Sequence, residues 1–198
     1  ITNNQRNTKI YFVFFAFYFD LSYFSVTFAA VNYLTYNMKI VIGIDVGIST
    51  TKIVGIRDGK VIKPLRVKAT DPVTSLYGAF GKYLYDNKIA LDDVEHVMIT
   101  GVGSAYIDKP VYGLPTSRAE EFIADGLGAQ YESRLNDMIV VSMGTGTSLV
   151  RCKGKDIHHI GGIGIGGGTL SGLSRLLLNT DDVKQIASLA LRGPISHI

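Results

Sequence analysis

The stretch Gly43-Ile44-Asp45-Val46-Gly47-Ile48-Ser49-Thr50-Thr51-Lys52 decides how the rest of the chain is read. Lys39 to Asp45 is an apolar, β-branched run, and Thr51 to Ile56 is a second one. Runs of this kind favour strands, so the Gly/Ser segment between them reads as a tight turn joining antiparallel neighbours. Asp58-Gly59 then supplies a hairpin turn before Val61-Ile62, which extends the pair into a meander. An acid at the end of the first strand, hydroxyls in the turn and a lysine at the start of the next strand make a coherent phosphate-handling set. Turn amides and hydroxyls around Gly47 and Ser49 can donate to phosphate oxygens, Lys52 can neutralise charge in phosphoryl transfer, and Asp45 can hold a magnesium ion. An ordinary hairpin, with Asp45 capping the turn and Lys52 solvated, is the plainer alternative. This stretch alone leaves both open.

Outward from it, Asp71-Pro72 reads as an N-cap followed by proline at the first helical position. The helix it opens is expected to reach about Asn87, with Val73, Leu76, Tyr77, Phe80 and Leu84 on one face. Val94 to Thr100 reads as a strand closed by Gly101-Val102-Gly103-Ser104, and Pro110, Gly113 and Pro115 mark a loop. Ser117-Arg118-Ala119-Glu120 fits a capping box, so the next helix is expected to begin at Ser117. Met138 to Met143 and Thr147 to Cys152 read as strands, and Gly154-Lys155-Asp156 turns into a third ending near Ile160. Thr169 to Leu178 reads as a helix. Asn179-Thr180 and Gly193 bracket the last one, with Val183, Ile186, Ala187 and Leu191 as its expected buried stripe.

A second phosphate-type turn lies in Val140-Val141-Ser142-Met143-Gly144-Thr145-Gly146-Thr147-Ser148, which repeats the strand, turn, strand logic of the first. Two such turns facing each other can clamp a triphosphate from both sides. A third candidate runs from Gly161 to Thr169, with six glycines in the eight residues 161–168 and a helix behind Gly166, Gly167 and Gly168 whose first amides favour an anion. It contains Gly162-x-Gly164-x-x-Gly167 with Asp182 downstream, the pattern of a dinucleotide site. Asp181-Asp182 looks like a helix start and not the end of a parallel strand, which argues against that reading. Walker A is absent from the sequence. If the capping box uses Glu120, Glu121 is left to point elsewhere; an ionised carboxylate there can accept a proton from a substrate hydroxyl. A surface glutamate favoured by the helix dipole is the alternative. His158 and His159 carry no carboxylate spacing that suggests a metal site, and Cys152 reads as a small buried residue.

Composition narrows the class. A formal net charge of +3 without a basic run gives no nucleic-acid or anionic-membrane footprint, so a small-molecule partner is expected. With Cys152 as the one cysteine, no internal disulfide forms and a reducing, cytoplasmic setting fits. Residues 1–37 hold 12 of the 20 Phe and Tyr residues, which sets them apart from everything downstream. Ile10 to Val31 has about the ~20 residues that span a bilayer. Asp20, Ser22, Ser25 and Thr27 interrupt that run, so residues 1–37 are expected to be non-native or translated upstream sequence, with Met38 as the start.

At these residues the chain resembles the type II pantothenate kinases, over Lys39 to about Gly193. Gly43-Ile44-Asp45, Gly144-Thr145-Gly146-Thr147-Ser148 and the tract from Gly161 through Gly168 resemble the family's phosphate and nucleotide loops. Glu121-Phe122-Ile123-Ala124 followed by Gly128 resembles the segment with its catalytic base, which assigns that role to Glu121. The resemblance implies an α/β chain of the actin-like ATPase (ribonuclease H-like) fold, a mixed sheet with flanking helices. Residues 38–135 would form a first ATPase lobe with the catalytic helix, and residues 136–198 the start of a second, incomplete lobe. It implies phosphorylation of pantothenate with ATP and Mg2+, Asp45 as metal holder, and nucleotide contacts from Gly47, Ser49, Lys52, Gly144, Thr145, Gly146, Thr147, Gly166, Gly167 and Gly168. A homodimer, feedback by coenzyme A or acyl-CoA, and independence of nucleic acid and membrane are further expectations. His159 stands where the family pattern has an arginine that stabilises the transferring phosphoryl group, and Ile48 where a glycine is common. A non-catalytic nucleotide or coenzyme A binder, or an inactive fragment, is the second reading. An ATPase that activates a radical dehydratase is the third, disfavoured because such activators bridge an iron–sulfur cluster through cysteines.

Overall fold

The computed structural model describes residues 39–193. The expectations for residues 1–37 therefore lie outside the described residues. The first sheet contains β1 (Ile40–Val46), β2 (Thr50–Arg57), β3 (Lys60–Val61), β4 (Leu65–Lys68), β5 (Val94–Thr100) and β6 (Thr116–Arg118). Its order is β3-β2-β1-β5-β6, with β4 also pairing β2. β1 and β2 are antiparallel, while β5 lies parallel to β1 on its other side and β6 parallel to β5. Every residue of β1 is buried, as a strand covered on both faces requires, so its Val/Ile sequence is nearly continuous rather than alternating.

Helix α1 (Pro72–Asn87) covers this sheet as the sequence indicates. The Asp71 carboxylate accepts from the Thr74 amide at 2.7 Å, Pro72 opens the helix, and Lys88 closes it in the left-handed conformation. Leu76 and Phe80 enter the core as expected, joined by Ala79 and Tyr83, whereas Val73 stays 38% exposed. The buried line turns toward Tyr83 because its hydroxyl accepts from the Gly55 amide of β2 at 2.6 Å. Each such large apolar group fully withdrawn from water contributes about 1.5–3 kcal/mol.

The expected helix start at Ser117 is not what forms. Residues 116–118 add a strand to the sheet edge, held by Val97 N to Pro115 O and Ala119 N to Ile99 O, both 2.9 Å. The Ser117 hydroxyl meets His96 Nε2 at 2.9 Å instead of capping a helix. Helix α2 (Glu121–Ser133) begins three residues after Arg118, with Glu120 as its N-cap and no side-chain capping bond.

The second sheet is an antiparallel meander of β7 (Asp137–Met143), β8 (Thr147–Lys153) and β9 (Asp156–Ile163). β9 continues past Ile160 because Gly161 and Gly162 keep pairing with Leu149 and Ser148. α2 packs on this sheet through Ala129 against Met138, Val140, Val150, Cys152 and Ile157, so Cys152 is core, as expected. A Cβ on Gly126 would lie 2.5 Å from Ile157 Cγ2 and 2.9 Å from Cys152 Sγ; glycine lets the helix approach that closely. Helix α3 (Gly167–Leu178) starts two residues earlier than its sequence pattern suggests. Helix α4 (Val183–Arg192) is capped by Asp182, which accepts from the Lys184 amide at 2.9 Å and supports the case against a dinucleotide site. The stripe expected to be buried on α4 is not: Ile186 is buried, but Leu191 is 88% exposed. Amphipathic spacing marks an apolar face without supplying its cover, and among the described residues no layer lies over that one.

Candidate functional site

Asp45 sits at the carboxyl end of β1 and pairs in register with Lys52 of β2. Directly opposed residues share a face of the sheet, and Lys52 Nζ donates to Asp45 Oδ2 at 2.8 Å. The acid is buried and the lysine partly so. Lys52 is held by Asp45 and is not a freely solvated surface lysine. Behind the carboxylate lies Gly101, at φ +85°, where a Cβ would collide with Asp45 Oδ1 and lie 2.7 Å from Val46 O. The turn between the strands presents Ile48 and Ser49 to solvent.

Glu121 stands at the first position of α2. It keeps surface exposed to water, yet enough protein closes round it to raise its pKa, through burial first and then the Asp45 charge, with Lys52 opposing. One helical turn on, Asp125 is buried, and its pKa is pushed up to about 7. Burial is the main cause; a hydrogen bond with Ser142 works against it, Asp45 and Glu121 add to it, and Lys52 again opposes. Asp45, Lys52, Glu121 and Asp125 therefore share one electrostatic neighbourhood between the two sheets.

Sequence reasoning singled out the first three of these residues and missed Asp125. Its spacing of four from Glu121 was a usable signal, since i and i+4 meet on one helix face. The capping box that would leave Glu121 free does not form; what sets Glu121 apart from Glu120 is its place in the first turn of α2 and its exposure to the charges of Asp45 and Lys52.

The second turn and the glycine tract form a single assembly. Gly167 N donates to Gly144 O at 2.8 Å and Gly168 N to Thr145 O at 3.0 Å. Thr147 Oγ1 donates to Ile165 O at 2.7 Å. A Cβ on Gly166 would lie 2.7 Å from Gly146 O, and one on Gly168 2.6 Å from Thr145 Cγ2. The tract's glycines thus permit backbone to lie on backbone. The amides of Gly167 and Gly168, which the sequence offers to an anion, are engaged by carbonyls of the turn, while Gly144 and Thr145 remain at the surface.

His159 is exposed and stacks on Phe122, ring centroids 4.2 Å apart and planes at 17°, which brings it beside the start of α2. His158 pairs with Asp156 at 3.2 Å. Among the described residues no group of three or more His, Cys, Asp or Glu is arranged to hold a metal ion. A magnesium site needs less protein than that, because one or two carboxylates complete it together with phosphate oxygens and water. Asp45, in its cluster of mutually repelling carboxylates, fits that donor set. No helix among the described residues is long and apolar enough to cross a membrane.

The fold is that of the actin-like ATPases. Component A of (R)-2-hydroxyglutaryl-CoA dehydratase from Acidaminococcus fermentans superposes with a TM-score of 0.63 at 16% identity, over 79% of this chain and 60% of that one. The activator of 2-hydroxyisocaproyl-CoA dehydratase from Clostridium difficile, with bound ADPNP, gives 0.61 at 14% identity over 78% and 57%. In sequence the chain is similar to type II pantothenate kinases, as its motifs indicate. The Staphylococcus epidermidis enzyme is 30% identical over 160 residues, 77% of this chain and 55% of the relative. That of Staphylococcus aureus is 33% identical over 158 residues, 77% and 54%. The Fumble family profile matches residues 117–198. The chain spans about half the length of the curated relatives it matches.

Proposed function

We propose that this chain carries the phosphoryl-transfer residues of a pantothenate kinase. The observation that supports it most is Glu121 at the start of α2, within the field of the Asp45–Lys52 pair. In this reading the Glu121 carboxylate accepts the proton of the primary hydroxyl of pantothenate. The hydroxyl oxygen forms a bond to the γ-phosphorus of ATP, the bond from that phosphorus to the bridging oxygen breaks, and ADP leaves. A raised pKa makes Glu121 a stronger base than an ordinary glutamate. Lys52 offsets charge at the phosphates, and the turns at Gly47–Ser49 and Gly144–Thr147 orient them, with Gly166, Gly167 and Gly168 shaping the second turn from behind. Magnesium bound with ATP supplies charge neutralisation, and Asp45 is the side chain that would hold it. His159, beside Glu121 on Phe122, contributes positive charge to the transferring group only when protonated.

The same resemblance supports a cytoplasmic homodimer with coenzyme A or its thioesters as feedback ligands. The dehydratase-activator reading needs a cysteine able to reach a cluster between subunits. Cys152 is fully buried, and burial chiefly pushes its thiol up to about 11, which disfavours that role. The test is an ADP-release assay with pantothenate and a panel of sugars. Pantothenate-dependent turnover that Glu121→Gln lowers by about 10²-fold or more is expected. Turnover with sugars but not pantothenate would overturn the substrate. Nucleotide binding without any turnover would turn the proposal toward a non-catalytic binder.

A further inference from the structure

We propose that Phe122 is a positioning residue for His159: its ring holds the imidazole between the start of α2 and the second turn, with Nε2 directed to where the phosphates of a nucleotide would lie. The inference deepens the phosphoryl-transfer reading above and rests on it.

The arrangement follows from two periodicities that match. Phe122 and Gly126 are four residues apart, so they share one face of α2 at about 6 Å along its axis. Ile157 and His159 are two apart on β9 and share one face of the strand at about 6.7 Å. Gly126 presses on Ile157, where a Cβ would lie 2.5 Å from Cγ2. One step further along both elements, Phe122 stacks on His159, with ring centroids 4.2 Å apart and planes at 17°. The close approach at Gly126 thus brings the helix near enough for the two rings to meet. His158 alternates to the opposite face and pairs with Asp156, so the neighbouring histidine does not take this place.

The far edge of the imidazole is equally defined. Residues three apart in a regular strand point to opposite faces. In β9 the pairing register shifts between the partners Leu149 and Val150, which leaves Ile160 as an extra residue. This bulge returns Gly162 to the face of His159. The Cβ position of Gly162 lies 3.5 Å from His159 Nε2 and 2.6 Å from Thr147 O. One edge of the imidazole therefore reaches the end of the Gly144–Thr147 turn, while its face rests on the residue next to Glu121. The imidazole is exposed there and open to a ligand. Phe122 is itself 37% exposed, so shortening it opens no buried cavity.

The experiment compares Phe122→Leu and Phe122→Tyr, each also in a His159→Ala background, by kcat and KM for pantothenate. Loss of an aromatic pair lowers the share of correctly held imidazole by about 2- to 12-fold. The kcat of Phe122→Leu is expected to fall by about that factor with KM unchanged, and Phe122→Tyr to restore it. Once His159 is alanine, Phe122→Leu should cost nothing more. Losses that multiply in the double variant overturn the inference, as does a wild-type kcat in His159→Ala. NMR of the His159 ring protons in the full chain gives a readout without turnover. The ring current of Phe122 should hold them upfield, and Phe122→Leu should release them. Adding ATP with Mg2+ should shift them in the wild type and in Phe122→Tyr, and much less in Phe122→Leu. Ring protons that ignore either the substitution or the nucleotide overturn the inference. These shifts without any turnover would support the placement of His159 and sink the kinase proposal alone.

Discussion

Replacing Asp125 by asparagine is expected to stabilise the protein in a pH-dependent way, and the size of the effect can be worked from the site. The carboxyl has an ordinary value of 3.8 and titrates at about 7 in the folded chain. Below pH ~4 both states hold the proton and the group costs nothing. As pH rises from there, the unfolded chain ionises freely while the folded chain does not, so folding stability falls by about 1.36 kcal/mol per unit until the folded group itself titrates. Over the roughly three units between these values the loss is about 4 kcal/mol, a large share of the ~5–15 kcal/mol that holds a domain together. Asparagine keeps the shape and the hydrogen bond to Ser142 without an ionisable proton. Urea unfolding of the wild type and Asp125→Asn at half-unit steps from pH 4 to 8 measures the difference directly. It should grow from pH 4 to about 7 and then level off. A difference that stays flat over that range would refute the claim that Asp125 is held protonated by its burial.

Gly101→Ala is expected to destabilise by more than about 1 kcal/mol, because a Cβ there meets Asp45 and Val46 at a positive φ; thermal unfolding checks it, and an unchanged Tm would mean that the loop moves freely. Thr51→Val removes a buried hydroxyl that has no hydrogen-bond partner among the described residues, so a gain of about 1 kcal/mol in urea is expected, and a loss would show that the hydroxyl is satisfied. Leu176 and Leu177 are 79% and 74% exposed; Leu176→Glu with Leu177→Glu should lower binding of a hydrophobic dye and self-association without lowering Tm, and a large fall in Tm would show that the face is covered.

Much of this architecture could be read from the chain because local chemistry and tertiary structure agree. Asp71-Pro72 caps α1, Asp58-Gly59 turns β2 into β3, and the Val/Ile run of β1 becomes the central strand. The reading failed where a local signal had two uses. Ser117 and Glu120 have the spacing of a capping box, but Pro115 and Ala119 bind the backbone of β5 first, and a strand wins over the helix end. Gly161 and Gly162 look like loop residues, yet a sheet edge accepts them when their neighbours pair. Asp125 escaped notice because an acid in a helix is usually a surface acid; only the arrival of β1 and β7 around it makes it unusual. For the same reason the stripe on α4 carried the right period and the wrong burial.

The latch between the Gly144 turn and α3 has a mechanical meaning. Two amides of the first helical turn hang on carbonyls of residues 144 and 145, and glycines at 166 and 168 leave no slack between the backbones. Turn and helix are thereby one lever. A displacement of Thr145 would carry the start of α3 with it, and the exposed leucines at 170, 173, 176 and 177 along that helix would travel too. A fluorophore placed on the exposed face of α3 would therefore report what happens at the Gly144–Thr145 turn.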